Sequence, residues 1–111
     1  MGAAIDLEWV YSYDPTVNDR DMAALARKGI ITVLGIDAIC DNLNPSMTSE
    51  DFAYFLEMVP GAMFWVGAGE KDKNLNLHSA TLALSDKVLI YAIKSYIGLI
   101  IEFFKQHNQN T

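Results

Sequence analysis

Residues 47–69 read MTSEDFAYFLEMVPGAMFWVGAG, and this stretch decides how the chain is expected to fold. Phe52, Phe55, Leu56 and Val59 fall at i, i+3, i+4 and i+7, a single apolar stripe on a helix. Thr48 stands where an N-cap belongs, and Asp51 three residues later can return the hydrogen bond, a weak form of the capping box. Glu50 and Asp51 sit in the first turn, facing the positive end of the helix dipole. Pro60-Gly61 stops the helix. Ala62-Met63-Phe64-Trp65-Val66 then runs apolar without alternation, the pattern of a strand covered on both faces in a parallel sheet. Each Met, Phe or Val buried there contributes roughly 1.5–3 kcal/mol. A helix feeding directly into a buried strand predicts an α/β fold with this strand anchoring the core.

The flanking segments extend that reading. Ala3, Ile5, Leu7, Trp9 and Tyr11 alternate with Asp6 and Glu8, as in a half-buried strand with one wet side. The YDPTVND turn follows, where Pro15 removes a ladder donor. Asn18 is placed to cap a helix carrying Asp19 and Asp21 in its first turn. Met22, Leu25, Ala26, Gly29 and Val33 keep helical spacing. Gly29 costs about 1 kcal/mol relative to Ala, and the β-branched IITV run follows, so a break at 29 competes with one helix to Leu34. Gly35 is the natural residue to end that single helix. Residues 36–40 alternate and read as a short strand that packs Cys40. Ser85-Asp86 opens a last helix, to about Lys105, hydrophobic nearly all round in the manner of a buried core helix.

The chain has 111 residues, enough for one domain with a modest core, and hydrophobic residues make up 51% of it. That share is high for so short a chain and leaves apolar surface for a partner. A net charge of −6 with no basic run excludes nucleic acid and anionic membrane as partners. Cys40 is the only cysteine, which excludes an internal disulfide and fits a reducing, cytoplasmic setting. The start lacks the basic region of a signal peptide. Gly2 does not open a myristoylation motif, since position 6 is Asp. Lys94 and Glu102 interrupt residues 88–104 before they reach the roughly 18–20 apolar residues of a membrane span.

Chemistry-bearing groups are few. Gly67-Ala68-Gly69 resembles the opening of a dinucleotide loop, but Asp72 occupies the third glycine's place and no helix follows; a close backbone turn explains it better. A small-ligand site at the Gly67–Gly69 edge is the generic alternative. His78 stands alone in the body of the chain, near the edge where ligands gather in open α/β sheets. Cys40, His78, Glu50 and Asp51 lack the spacing of a zinc motif.

Taken in order, GAAIDLEWVYSYDPTVND, LG, PSMTSEDFAYFLEMVPGAMFWVGAG and LHS resemble the C-terminal part of the metal-dependent amidohydrolases and peptidases. This group contains hippurate hydrolase and the indoleacetyl-amino-acid hydrolases, relatives of aminoacylase and the zinc carboxypeptidases. The resemblance covers residues 2–104. It implies a partial catalytic-domain sheet covered by helices, preceded by one strand resembling the end of a lid or dimerisation domain, with boundaries at 1–14 and 15–111. It also implies that His78 ligates a divalent metal, zinc or manganese, that activates a water to attack an amide carbonyl. Glu50, Asp51, Gly67, Gly69, Ser79 and Asn18 would border the site. The implied substrate is a small N-acyl amino acid or peptide-like amide, and the implied partner a second copy or the family's N-terminal part. Two departures stand out. Ala80 follows the HS pair where the family has Pro and an acidic segment, and the family's other ligands and its glutamate base belong upstream of Met1. One ligand and no base do not make a hydrolase, so the chain alone is expected to be inactive. The alternative is a non-catalytic interaction module that dimerises without metal.

Overall fold

The computed structural model describes residues 2–68, 77–78, 80–82 and 84–108. Helix α1 spans Arg20–Leu34, a 3₁₀ turn Ile36–Ala38, helix α2 Phe52–Met58 and helix α3 Lys87–Asn108. Asp19, not Asn18, caps α1: its Oδ1 accepts from the amides of Asp21 at 3.0 Å and Met22 at 2.9 Å, satisfying two of the four donors a helix start leaves open. Gly35 ends the helix at φ 84°, a conformation that glycine adopts without strain. Between these caps α1 is unbroken, with Gly29 inside it.

The reason for Gly29 lies across the interface. Leu25, Ala26 and Gly29 of α1 are buried, as are Ser95, Gly98 and Glu102 of α3. The two helices cross where Gly29 meets Gly98 backbone to backbone. A Cβ placed on Gly29 would lie 2.6 Å from the Gly98 carbonyl carbon and 2.7 Å from the Leu99 nitrogen. A Cβ on Gly98 would collide with the Gly29 carbonyl oxygen and lie 2.9 Å from Val33 Cγ2. The helix-propensity cost of two glycines is offset by an approach no other residue permits. Beside the crossing, the Glu102 carboxylate is 2% exposed and lies 2.7 Å from Lys28 Nζ and 2.8 Å from Lys105 Nζ.

The expected sheet is absent. No described residue lies in a strand, which overturns the α/β architecture and all three strand assignments. A strand exists only through a neighbour that accepts and donates its backbone bonds, and each candidate has a different substitute or none. Residues 3–11 are exposed along their length, with Trp9 and Tyr11 meeting edge-on at 6.3 Å on one side of the chain, as i and i+2 of extended backbone do. Residues 36–40 begin with the 3₁₀ turn, in which the Ile39 amide donates to the Ile36 carbonyl at 3.0 Å. Cys40 at its end is exposed rather than packed. Residues 61–63 bond to the residues that open α1 instead of to a strand: the Asp19 amide donates to the Gly61 carbonyl at 2.9 Å. Asn18 Nδ2 donates to the Met63 carbonyl while its Oδ1 accepts from the Met63 amide, both at 2.8 Å.

The chain is correspondingly extended. Its radius of gyration is 18.8 Å, against about 13 Å for a compact domain of this length. Helix α2 is attached through buried Ala53 and through the Tyr54 hydroxyl, which donates to the Ser12 carbonyl at 2.5 Å. Helix α3, expected to be buried on all sides, is covered along the α1 side and leaves Ile90, Ile93, Ile97, Ile100 and Phe104 about half exposed.

Candidate functional site

His78 is the residue on which a metal site would rest. It is exposed, in a turn, and it is the one described non-glycine residue with a left-handed backbone, φ 65°. That conformation is uncommon among non-glycine residues, histidine being one of those that adopt it more readily. Ser79 and Gly69, two of the residues expected around it, lie outside the described residues. Among the described residues no group of three or more His, Cys, Asp and Glu side chains could hold a metal ion. One imidazole is not a site, because a catalytic zinc needs three protein ligands. The residues described here therefore do not by themselves fit the metal that the resemblance implies.

The remaining expected neighbours do not assemble around His78 either. Asp51 occupies the N-cap position of α2 without a side-chain hydrogen bond to the helix, and Thr48 shares a 2.8 Å bond with Ser46 instead. The capping box is not formed, and Glu50 and Asp51 act through their carbonyls, which accept from Ala53 at 3.3 Å and Tyr54 at 3.1 Å. Gly67 has open space where a Cβ would sit, so the close backbone turn expected at Gly67–Gly69 is not at Gly67. Asn18 has the clearest role of the set, and it is mechanical: its amide presents one donor and one acceptor to Met63, standing in for a strand. It lies on an open groove of about 530 Å³ between residues 17–20 and residues 56–61.

Sequence reasoning missed the charged residues that the structure does bring together. Lys105 donates to Glu102 Oε1 at 2.8 Å, while Lys28 faces Oε2 at 2.7 Å without the alignment of a hydrogen bond. The hydrogen bond from Lys105 and the Lys28 contact together lower the Glu102 pKa to about 2 against the opposing effect of burial. Spacing offered half a signal, since Glu102 and Lys105 are neighbours at i, i+3. Lys28 comes from another helix and could not have been found that way. Arg27 and Asp41 form a second pair, Nη2 to Oδ2 2.9 Å, and the hydrogen bond from Arg27 holds the Asp41 carboxyl below its ordinary range. Both clusters tie elements together. No helix among the described residues is long and apolar enough to cross a membrane.

Comparison with known proteins supplies what the geometry does not. The model of peptidase family M20/M25/M40 matches residues 3–102. The N-acetyldiaminopimelate deacetylase of Lactobacillus acidophilus is 41% identical over 94 residues, 85% of this chain and 22% of its own length. That of Halalkalibacterium halodurans is 49% identical over 55 residues, 50% of this chain and 14% of its own. A protein of Rhodococcus jostii whose name proposes a glutamate–cysteine ligase is 33% identical over 98 residues, 85% of this chain and 12% of its own. The chain thus spans between 12% and 22% of the length of these curated relatives. No solved structure matches it.

Proposed function

The chain belongs to peptidase family M20/M25/M40, and from that membership we propose that it is the C-terminal portion of a metal-dependent amidohydrolase acting on N-acyl amino acids or related amides. The observation that carries the reading is the family match over residues 3–102. The deacetylase names of two relatives support an amide as the bond cleaved. In this reading residues 1–14 belong to a lid domain, residues 15–111 close the catalytic domain, and the setting is cytoplasmic.

His78 is the residue this chain contributes to a divalent-metal site, zinc or manganese, whose other ligands and general base lie on a separate N-terminal part. The described residues do not hold a metal alone, so no step of hydrolysis is assigned to them, and this reading expects the isolated chain to be inactive. The test is reassembly with the separately expressed remainder of the Lactobacillus acidophilus relative, assayed on an N-acyl amino acid. Activity should appear only in the mixture and should disappear with His78→Ala, while the far-ultraviolet spectrum of the variant stays unchanged. Activity retained by the His78→Ala mixture would sink the assignment.

A second reading is favoured by the exposed apolar side of α3 and by the incomplete ligand set: a non-catalytic interaction module. Calorimetric titration with Zn²⁺ separates the two. Tight binding that His78→Ala removes contradicts the module, and a metal-independent oligomer supports it.

A further inference from the structure

Between the exposed residues 2–11 and helix α1 the chain is held at two points, and the two are unequal. On the α1 side Asn18 exchanges two hydrogen bonds with Met63, both at 2.8 Å, and the Asp19 amide donates to the Gly61 carbonyl at 2.9 Å. On the other side there is a single hydrogen bond, from the Tyr54 hydroxyl to the Ser12 carbonyl at 2.5 Å. The Tyr54 ring also meets the Tyr13 ring, with centroids 5.4 Å apart and planes at 43°. Residues 2–11 beyond that point make no hydrogen bond.

Asp14, Pro15, Thr16 and Val17 span the interval, and none of them makes a hydrogen bond either. Pro15 fixes its own φ and holds Asp14 extended, so turning falls to Thr16 and Val17. Val17 is 70% exposed, and the groove of about 530 Å³ between residues 17–20 and 56–61 gives it room. A few unbonded residues between two bonded parts are what a hinge requires. We infer that residues 14–17 are a hinge and that Tyr54 is the latch that holds it in one position.

The latch has a firm base and a weak hold. Tyr54 stands on α2 beside buried Ala53, and Leu56 of the same helix packs on Gly61, where an added Cβ would lie 2.9 Å from its Cδ2. Helix α2 is thereby tied to the segment that Asn18 and Asp19 clamp. The Tyr54 side chain itself is on the surface, where water competes for the Ser12 carbonyl, and one neutral hydrogen bond there opens readily. With the latch closed, residues 2–11 leave along the line set by Ser12 and Tyr13. With it open, residues 2–13 swing about Thr16 and Val17 while α1 and residues 61–63 stay joined. The latch rests on these contacts alone. Its use rests on the reading above, in which residues 1–14 belong to a lid domain: Tyr54 is then the positioning residue that sets the angle at which that domain meets residues 15–111.

Energy transfer from Trp9 to a fluorophore on Cys40 tests the latch in the full chain, without recourse to activity. Cys40 is the only cysteine and is exposed, and the Arg27–Asp41 ion pair at 2.9 Å ties its neighbour to α1. Trp65→Phe serves as the background, leaving Trp9 as the sole donor. The donor decay is expected to resolve a dominant narrow distance component and a minor broad one. Tyr54→Phe should raise the ratio of broad to narrow about fivefold with the far-ultraviolet spectrum unchanged, and adding Pro15→Gly should broaden the released component further. Tyr91→Phe, which removes a hydroxyl from the exposed side of α3, should change nothing. Should Tyr54→Phe unfold α2, Tyr13→Ala removes the ring contact from the other side and is expected to raise the same ratio. A single broad distribution in the wild type, a ratio that neither Tyr54→Phe nor Tyr13→Ala moves, or one that Tyr91→Phe moves equally would overturn the proposal.

Discussion

The α1–α3 pair and the extended segments before and between its helices were equally legible as elements in the sequence, yet of these only the pair forms as read. A helix closes its hydrogen bonds within itself, so α1 and α3 need a neighbour only for their side chains, and each finds one in the other. A strand has no such independence. Residues 3–11 carry a clean alternation and remain exposed, and among the described residues those at 61–63 bond to Asn18 and the Asp19 amide. Pattern predicts an element; a partner is needed to realise it. Each region can be perturbed to test that contrast.

The largest effect is expected at the helix crossing. Gly98→Val places a branched side chain against the Gly29 carbonyl and Val33 Cγ2, the first of them backbone that cannot move aside. Overpacking of this kind typically costs about 1–3 kcal/mol. Gly98→Ala isolates the steric part, because alanine returns roughly 1 kcal/mol of helix propensity. Thermal unfolding followed by circular dichroism should show both variants less stable, valine more so. A rise in Tm for Gly98→Ala would mean that the helices do not approach as closely as described.

Next comes the clamp on residue 63. Asn18→Ala removes two hydrogen bonds to Met63, and at about 1 kcal/mol for each bond the loss is about 1–2 kcal/mol. Asn18→Asp discriminates further. It keeps an acceptor for the Met63 amide but faces the Met63 carbonyl with an oxygen that cannot donate. It should be no better than alanine, with faster amide exchange at Met63 in both. If Asn18→Asp matches the wild type, the strand-like clamp is not the source of the stability.

Glu102 should have a smaller effect, and its sign with pH is fixed. Its pKa is lowered to about 2 in the folded chain from an ordinary value of 4.5. A carboxylate lowered on folding adds stability that is fully present above its unfolded pKa and is lost as pH falls toward the folded one. Denaturation midpoints should therefore drop between pH 5 and pH 2 (roughly the window between the two values), and Glu102→Gln should flatten part of that fall. The effect is limited because Lys28 and Lys105 are 62% and 55% exposed and return to water when the carboxylate is gone.

The family was legible because SEDFAYF, VPGA and the HS pair are recognisable in order, whatever surrounds them. The helix to Gly35 was legible because its spacing and its terminal glycine agree. What could not be read depended on contacts distant in sequence. Gly29 looked like a weakness until Gly98 supplied its reason, Lys28 finds Glu102 only through the crossing, and Asn18 serves Met63 rather than the helix it precedes. The site was least legible of all. His78 could be assigned only by resemblance, and the described residues place no second ligand beside it.

Cys40 offers the mildest probe of the same contrast, since it ends a segment whose alternation predicts a packed strand while the structure leaves its side chain exposed. A thiol in that position is open to reagent in the folded chain, so its reaction does not wait on unfolding. Labelling with a chromogenic disulfide should proceed in native buffer at nearly the rate seen in denaturant, and Cys40→Ser should leave Tm unchanged. Protection of the thiol in the native chain would mean that residues 36–40 find a partner after all, and that the extended regions acquire in solution the neighbour they lack in the single chain.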